Sequence, residues 1–260
     1  MPSDFRTLLW LLKLGVPVNL YFMGRLLSLE APDPQVVVPG LILLSVSAFR
    51  CLFPNRYLDN IVFHDTPLSS IFLTRFLATF SEVAYIYQFS YVIRTVNSDP
   101  VLWVNALSWV MVLQVVISQG FVWSAILTRR LHLYVYEELG WLIIFSANTA
   151  ASTYLYAFGD IANHSLSLLQ LNLLFGATYL PWQVFHLRAL NIEARTGRSM
   201  GARDSVDWRQ GLDDSIRRRN RKTDSTAWGG LIGLTWMVAY WASLIPAWVH
   251  HVAVTISTRP

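Results

Sequence analysis

Residues 67–93, PLSSIFLTRFLATFSEVAYIYQFSYVI, decide how the rest of the chain is organised. This stretch is long and apolar enough to cross a bilayer, which takes about 20 residues, yet Arg75 and Glu82 lie inside it. A charge at the centre of a membrane helix costs about 2.5–3.5 kcal/mol on insertion scales. Each of the two residues therefore needs a partner, a water-filled cavity or a ligand.

The spacing of these two charges predicts that they do not bind each other. They lie close to one helical face, but about 10 Å apart along the helix axis. Because helical side chains lean towards the N-terminus, we expect Arg75 to point away from Glu82. Each charge is then expected to find its partner on another helix.

The composition of the whole chain is that of an integral membrane protein. Of the 260 residues, 54% are hydrophobic and only 14% are charged, which excludes an ordinary soluble domain. A single cysteine excludes an intramolecular disulfide and a cysteine-clustered metal site. The net charge of +4 arises mostly in one loop, so it indicates membrane orientation rather than a nucleic-acid partner.

The apolar runs predict an all-α fold, a polytopic membrane helix bundle of six to seven transmembrane helices in one domain, residues 1–260. Residues 5–29 contain Lys13 and Pro17, so they form either an interfacial segment or an irregular first span. Pro181 is expected to kink or break its span, and residues 191–227 are expected to be a basic cytosolic loop. The six other spans are 36–53, 68–93, 101–127, 131–158, 166–190 and 228–253.

The distribution of basic residues sets the orientation. Ten Lys and Arg residues fall between Arg188 and Lys222, and four more, at positions 50, 56, 129 and 130, fall on the same side, fourteen of the 20 in the chain. The basic side of a membrane protein is normally cytosolic. For a eukaryotic protein we expect multi-pass insertion in the endoplasmic reticulum membrane.

This orientation predicts a polar pocket that opens to the cytosolic leaflet, with Glu82 at its floor and aromatic walls. Glu137 and Glu138 are adjacent on one helix and point about 100° apart, so at most one of them faces the pocket squarely. These three acids are the catalytic candidates. The candidate substrate-binding residues are Arg75, Trp141, Asn148, Gln119, Trp182, His186, His64 and Asp65.

Structural roles are the alternative for several of these residues. Arg75 can pair with Glu137 or Glu138, and Glu82 can be a protonated acid that hydrogen-bonds to Asn148 or Gln114. His64 and Asp65 lie in a loop where solvent can reach them. The basic run 217–222 is expected to contact anionic lipid.

Motifs of soluble enzymes are missing from the sequence. It has no G-x-x-x-x-G-K-[ST], H-E-x-x-H or G-x-S-x-G pattern. Asp213 and Asp214 do not extend to an aspartate-rich diphosphate motif, because position 217 is Arg. The remaining chemistry is acid chemistry on an apolar substrate. A desolvated carboxylic acid stays protonated and donates its proton, while aromatic faces stabilise a positive charge in a dry cavity.

An acid and an aromatic cavity are what a proton-initiated isoprenoid cyclase needs. In its size, its six or seven spans, its aromatic richness and its intramembrane acids Glu82, Glu137 and Glu138, the chain resembles the small integral-membrane terpene cyclases of fungal meroterpenoid pathways, the macrophorin and ascofuranone types. The resemblance implies cyclisation of a farnesylated aromatic or its terminal epoxide without a metal or redox cofactor. Glu82 is the first hypothesis for the proton donor because it lies deepest, and Glu138 is the second.

Two other classes of function stay open. A small-molecule or ion transporter also places ionisable residues in the membrane, although it more often shows internal symmetry and helix pairs broken by Gly or Pro. A non-catalytic membrane assembly subunit needs only a partner protein for its charges. Membrane lipid is an expected contact in all three cases, and the sequence leaves the oligomeric state open.

Overall fold

The structure, a computed structural model, describes residues 4–196 and 205–257. Within them the fold is all-α apart from three two-residue strands. The helices are α1 (Arg6–Leu27), α2 (Pro34–Leu52), α3 (Ile71–Val96), α4 (Leu102–Thr128), α5 (His132–Phe158), α6 (Asn163–Thr196), α7 (Trp208–Arg217) and α8, which consists of Gly230–Met237, Val238–Leu244 and Ile245–Ser257. The strands are β1 (Asn55–Arg56), β2 (Ile61–Val62) and β3 (Asn220–Arg221).

Four of the described helices are long and apolar enough to cross a membrane. The predominance of helices confirms the all-α prediction, and the four long apolar helices support the membrane character of the protein. The helices that meet the length and composition of a span are Arg6–Leu27, Pro34–Leu52, Leu102–Thr128 and Gly233–Ser257.

The chain divides into two compact units. The first contains residues 4–84 and 212–257 of the described chain, and the second contains residues 85–196 and 205–211. Helix α3 begins in the first unit and ends in the second. The expectation of a single domain stays a prediction.

Helices α1, α2 and α8 pack together in the first unit. The backbone N–H of Phe5 donates to the carbonyl of Thr223 at 2.8 Å. The N–H of Asp33, beyond the other end of α1, donates to Ser257 Oγ at 3.2 Å. Residues 5–33 thus run alongside α8 from one end to the other, which favours the first-span interpretation over an interfacial segment.

A π-helical turn in α8 is matched by a polar side chain of α1. In a π-helix the carbonyl of Trp241 would accept from the N–H of residue 246, but that residue is Pro246, which has none. The amide of Asn19 replaces the missing donor, because its Nδ2 lies 2.9 Å from the Trp241 oxygen and 2.7 Å from that of Gly15. This bond satisfies a backbone group that lipid could not satisfy.

The strands form a small sheet in the order β1-β2-β3, with β1 and β2 antiparallel and β2 and β3 parallel. A cluster of buried apolar residues belongs to the same unit and has the indole of Trp228 as its largest member. The Trp228 Nε1–H donates to the carbonyl of Lys222 at 2.9 Å. The members of the cluster are Phe5, Leu9, Ile61, Phe63, Ala227, Trp228 and Leu234.

Helix α5 of the second unit packs against both α4 and α6, and glycines make the close approach possible. A Cβ on Gly140 would lie 2.8 Å from Gln114 Nε2 of α4 and closer still to Ser118 Oγ. A Cβ on Gly176 would overlap the side chain of Thr149. Small residues at such contacts let membrane helices pack backbone to backbone.

Two expectations about the second half of the chain are corrected. The helix Asn163–Thr196 continues through Pro181, so a break at this position was wrong. A proline removes one helical hydrogen bond, a loss that membrane helices tolerate when neighbouring groups satisfy the freed carbonyl. The segment 191–227 is not a plain loop either, because it includes the end of α6, the helix Trp208–Arg217 and β3, whereas residues 197–204 lie outside the described residues.

Candidate active site

Arg75 and Glu82 bind each other, contrary to the expectation from their spacing. Arg75 Nη1 donates to Glu82 Oε1 at 3.0 Å, and Nη2 donates to Oε2 at 2.8 Å. The expectation considered the direction in which the two side chains leave the helix but not the length of the arginine side chain. Glu82 leans back towards the N-terminus, and the long arginine side chain extends along the helix to cover the two turns between them.

This pair is a buried, bidentate ion pair. Arg75 is 1% exposed and the Glu82 side chain 14% exposed. Two parallel N–H···O bonds are the strong, bidentate arrangement of an arginine with a carboxylate. The Arg75 guanidinium also lies over the ring of Tyr57, 5.8 Å from its centroid. Glu82 is thus a counterion of Arg75, which disfavours it as a donor of protons.

Glu138 has a different environment, formed by α5 and α6 of the second unit. Gln183 Nε2 donates to Glu138 Oε2 and to the Glu138 backbone carbonyl, both at 2.8 Å. His186 Nε2 lies 3.6 Å from the other carboxyl oxygen, Oε1. Residues 183 and 186 are one turn apart on α6, so both reach the same acid. The acid is three-quarters buried, with 24% of its side chain exposed.

Glu137, the neighbouring acid, is buried. The different exposure of Glu137 and Glu138 agrees with side chains that point in different directions from one helix. The contacts described above join Glu138 to the Gln183 and His186 side chains.

A chain of aromatic rings leads to this acid within the second unit. His186 and Trp182 stack in parallel at 4.9 Å, with 8° between their planes. From Trp182 the ring-to-ring contacts continue through Tyr179 at 5.7 Å. They reach Phe145, whose ring lies 4.8 Å from that of Tyr179. Further members of the array are Phe175, Phe89, Tyr85 and Trp141.

The other predicted residues of the second unit lie in its interior. Asn148 Oδ1 accepts from Asn172 Nδ2 at 3.3 Å, and the same nitrogen donates to Ser152 Oγ at 3.2 Å. Gln119 is buried. Trp141 stacks on Phe145 at 6.1 Å. The bonds of Asn172 join α5 to α6, and Trp141 extends the aromatic array along α5.

The predicted residues His64 and Asp65 belong to the first unit. The His64 ring packs edge-on against Trp10 at 5.6 Å and against Phe63 at 4.5 Å. Burial, followed by the nearby charges of Lys13 and Arg221, lowers the pKa of His64 below the ordinary histidine value. Asp65 accepts from Arg219 Nε at 2.8 Å. This pair ties the 52–70 connection to the chain after α7.

The sequence predictions left Gln183 and five rings of the array out of the candidate site: Phe175, Tyr179, Phe145, Phe89 and Tyr85. Two of these rings share a helical face with Trp182 and His186, because Phe175, Tyr179, Trp182 and His186 follow one another at spacings of four, three and four. That periodicity was a usable signal. Gln183 carried no such signal, since its role depends on where α5 places Glu138.

Comparison of the chain with known protein families, with curated proteins and with solved structures gives no match. A functional assignment therefore has to come from the chemistry of the residues that the fold brings together.

Proposed function

We propose that the protein is an integral-membrane terpene cyclase that carries out proton-initiated cyclisation of a farnesylated aromatic or its terminal epoxide. The observation that carries the proposal is the aromatic array of the second unit, which ends at an acid held by a neutral amide and an imidazole. The array corresponds to the wall that a migrating carbocation requires, and the acid corresponds to the proton source.

Glu138 is the proton donor in this proposal. Gln183 donates to Oε2, so the proton of the neutral acid resides on Oε1, the oxygen nearer to His186. Among the described residues, the polar side chains that contact Glu138 are Gln183 and His186, and neither carries a permanent charge. The imidazole beside Glu138 can accept and return a proton, whereas the guanidinium bound to Glu82 has no acceptor.

The reaction is an isomerisation whose atoms balance without a co-reactant. The Oε1–H proton passes to the epoxide oxygen, the C–O bond breaks, and the neighbouring double bonds attack in turn to form rings. The last cation loses a proton to the Glu138 carboxylate, which restores the acid. His186, with 32% of its side chain exposed, exchanges protons between the outside and the carboxyl group.

The aromatic rings stabilise the positive charge as it moves along the substrate. An aromatic face within about 6 Å of a cation contributes about 0.5–2 kcal/mol, most where water is excluded. Tyr179 and Trp182 lie nearest to the acid along the array. They are therefore assigned to the cation, whereas Phe145 and Phe89, at 2% and 1% exposed, pack against other rings of the array.

The proposal includes the full membrane topology of six to seven spans. Four helices have the length and composition of spans, and α3, α5 and α6, at 26, 27 and 34 residues, have the length. Their polar residues are those that pair inside the units, as Arg75 does with Glu82. The basic side faces the cytosol, and an endoplasmic reticulum location follows for a eukaryotic cell.

The test is conversion of a farnesylated phenol and of its terminal epoxide by microsomes that carry the wild type or Glu138→Gln. Gln keeps the shape of the side chain but has no acidic proton, so turnover is expected to fall by at least about 100-fold. Glu138→Asp is expected to retain part of the activity. Failure of the wild type to convert any prenylated substrate contradicts the cyclase proposal. Wild-type turnover by Glu138→Gln removes Glu138 from it.

A further inference from the structure

An arginine in the second unit is enclosed by rings. Arg94 lies in the last turn of α3, and its guanidinium carbon is 4.2 Å from the ring centroid of Trp109 on α4. The rings of Tyr87 and Tyr91 lie 5.5 and 5.7 Å away. Trp109 is half exposed, at 51%. The enclosure therefore opens along the outer face of α4.

The contacts of Arg94 do not neutralise its charge. Its Nη1 donates to the hydroxyl oxygens of Ser90 and Ser108, and the Tyr87 hydroxyl interacts with the same guanidinium. Among the residues that the structure describes, the groups that contact Arg94 are hydroxyls and rings, and none is a carboxylate. Arg75, by contrast, donates to the Glu82 carboxylate from both terminal guanidinium nitrogens, Nη1 and Nη2.

The enclosure lies just inside the boundary between the lipid headgroups and the hydrocarbon core. Helix α4 has 27 residues, about 40 Å of helix, whereas the hydrocarbon core measures about 30 Å. Trp109 lies about 10 Å from the start of α4, which places it about 5 Å inside the hydrocarbon boundary. A guanidinium at this depth favours a phosphate drawn down towards it, because a charge in the apolar layer is costly and local thinning of the bilayer relieves that cost.

The surface next to the enclosure fits an acyl chain. Trp109, Leu113 and Val116 follow one another at spacings of four and three and are 51%, 61% and 51% exposed. They form an apolar stripe that descends along α4 from Arg94 towards the membrane interior. A free phosphate ion makes no favourable contact with such an apolar stripe. A phospholipid places its phosphate at the arginine and one acyl chain along the stripe.

We propose that Arg94, together with Tyr87, Tyr91 and Trp109, binds the phosphate of a phospholipid in the leaflet at the α3–α4 end of the second unit. The guanidinium supplies charge-assisted hydrogen bonds to the phosphate oxygens, and the rings hold the guanidinium plane in place. The site does not depend on the choice of headgroup alcohol, because the recognised group is the phosphate.

The test uses the purified full-length protein in detergent, titrated with dioleoylphosphatidylglycerol, dioleoylphosphatidylcholine or dioleoylglycerol and observed by native mass spectrometry. The wild type is expected to bind one molecule of either phospholipid tightly and to bind dioleoylglycerol, which lacks the phosphate, at least about tenfold more weakly. Arg94→Gln is expected to lose the same factor for both phospholipids. Arg94→Lys keeps the charge without the planar fork, and it should lose only part of the affinity.

Arg25→Gln is the matched control. Arg25 is an exposed arginine in the last turn of α1, so its loss changes the net charge equally and should leave phospholipid binding at the wild-type level. Phospholipid affinity equal to wild type in both Arg94→Gln and Arg94→Lys overturns the proposal. Displacement of the bound phospholipid by millimolar inorganic phosphate also overturns it, because the site would then select a small anion.

Discussion

Two acids on apolar helices of this protein differ in what holds them. Glu82 in the first unit has both carboxyl oxygens bound by Arg75. Glu138 in the second unit has one oxygen bound by the amide of Gln183 and the other near His186. The same residue type in a similarly apolar helix is thus a counterion in one place and a candidate acid in the other. The partner, rather than the depth, decides which.

The largest expected effect is on stability, from Glu82→Gln. Removing one member of a buried ion pair takes a bound countercharge away from the other, which costs about 3–5 kcal/mol. Arg75, at 1% exposure, cannot regain water without moving. We expect a large loss in the free energy of unfolding of the purified protein in detergent, measured by denaturant titration.

Two variants sharpen this prediction about the pair. The double variant Arg75→Met, Glu82→Leu removes both charges and is expected to recover most of the lost stability. Glu30→Gln alters an exposed acid before α2 and should leave stability unchanged. If Glu82→Gln is as stable as Glu30→Gln, the pair is not the counterion arrangement described here.

The next effect is on turnover, from Gln183→Met. This change removes the hydrogen bond to Glu138 Oε2 at similar side-chain volume. A hydrogen bond to a group that ionises during the reaction is worth about 1.5–3 kcal/mol, so kcat is expected to fall by about 10- to 100-fold with little change in KM. Gln170→Met, on an exposed part of the same helix, is the control. A change confined to KM would contradict a positioning role for Gln183.

A smaller effect is expected from Trp182→Leu. The substitution keeps an apolar side chain but removes the aromatic face beside His186. Loss of one cation–π contact of about 0.5–2 kcal/mol lowers turnover by about 2- to 30-fold, and it should also raise the share of prematurely quenched products in the product profile. Trp208→Leu changes an exposed indole on α7 and should alter neither turnover nor the product profile. An unchanged product profile in Trp182→Leu would exclude this ring from the cation wall.

The smallest effect concerns pH and the first unit. The pKa of His64 in the folded protein is lowered by burial and by Lys13 and Arg221, so near the ordinary value the unfolded chain binds more protons than the folded protein. The contribution of His64 is therefore fully present above about pH 6.5, and it is lost as the pH falls through the lower, folded pKa.

This prediction is checked by the melting temperature between about pH 7 and pH 5. His64→Gln should show a flatter decline than the wild type as the pH falls. His132→Gln, which changes an exposed histidine at the start of α5, should follow the wild-type curve. An identical decline in wild type and His64→Gln would show that other groups set the acid stability.

Some features of the site can be predicted from residue spacing, as the aromatic face of α6 can, and others cannot, as the Arg75–Glu82 bond cannot. The length of the apolar runs predicted the long helices well. A segment such as Leu102–Thr128 must place its side chains against protein or against lipid wherever it lies. Two of the missed rings, Phe175 and Tyr179, could have been found from their helical spacing to Trp182. The Arg75–Glu82 bond could not, because it depends on extended side-chain conformations rather than on the positions of Cα atoms.

The sequence by itself determined the all-α class, the long apolar helical segments and the presence of acids, bases and rings within apolar stretches. Periodicity and composition are local properties of the chain, so they survive without a fold. Only the tertiary structure decided that Glu138 meets Gln183 and His186 across two helices, and that Asn19 donates to Trp241. Contacts between distant residues depend on how helices pack, and packing follows from the shapes of many side chains at once.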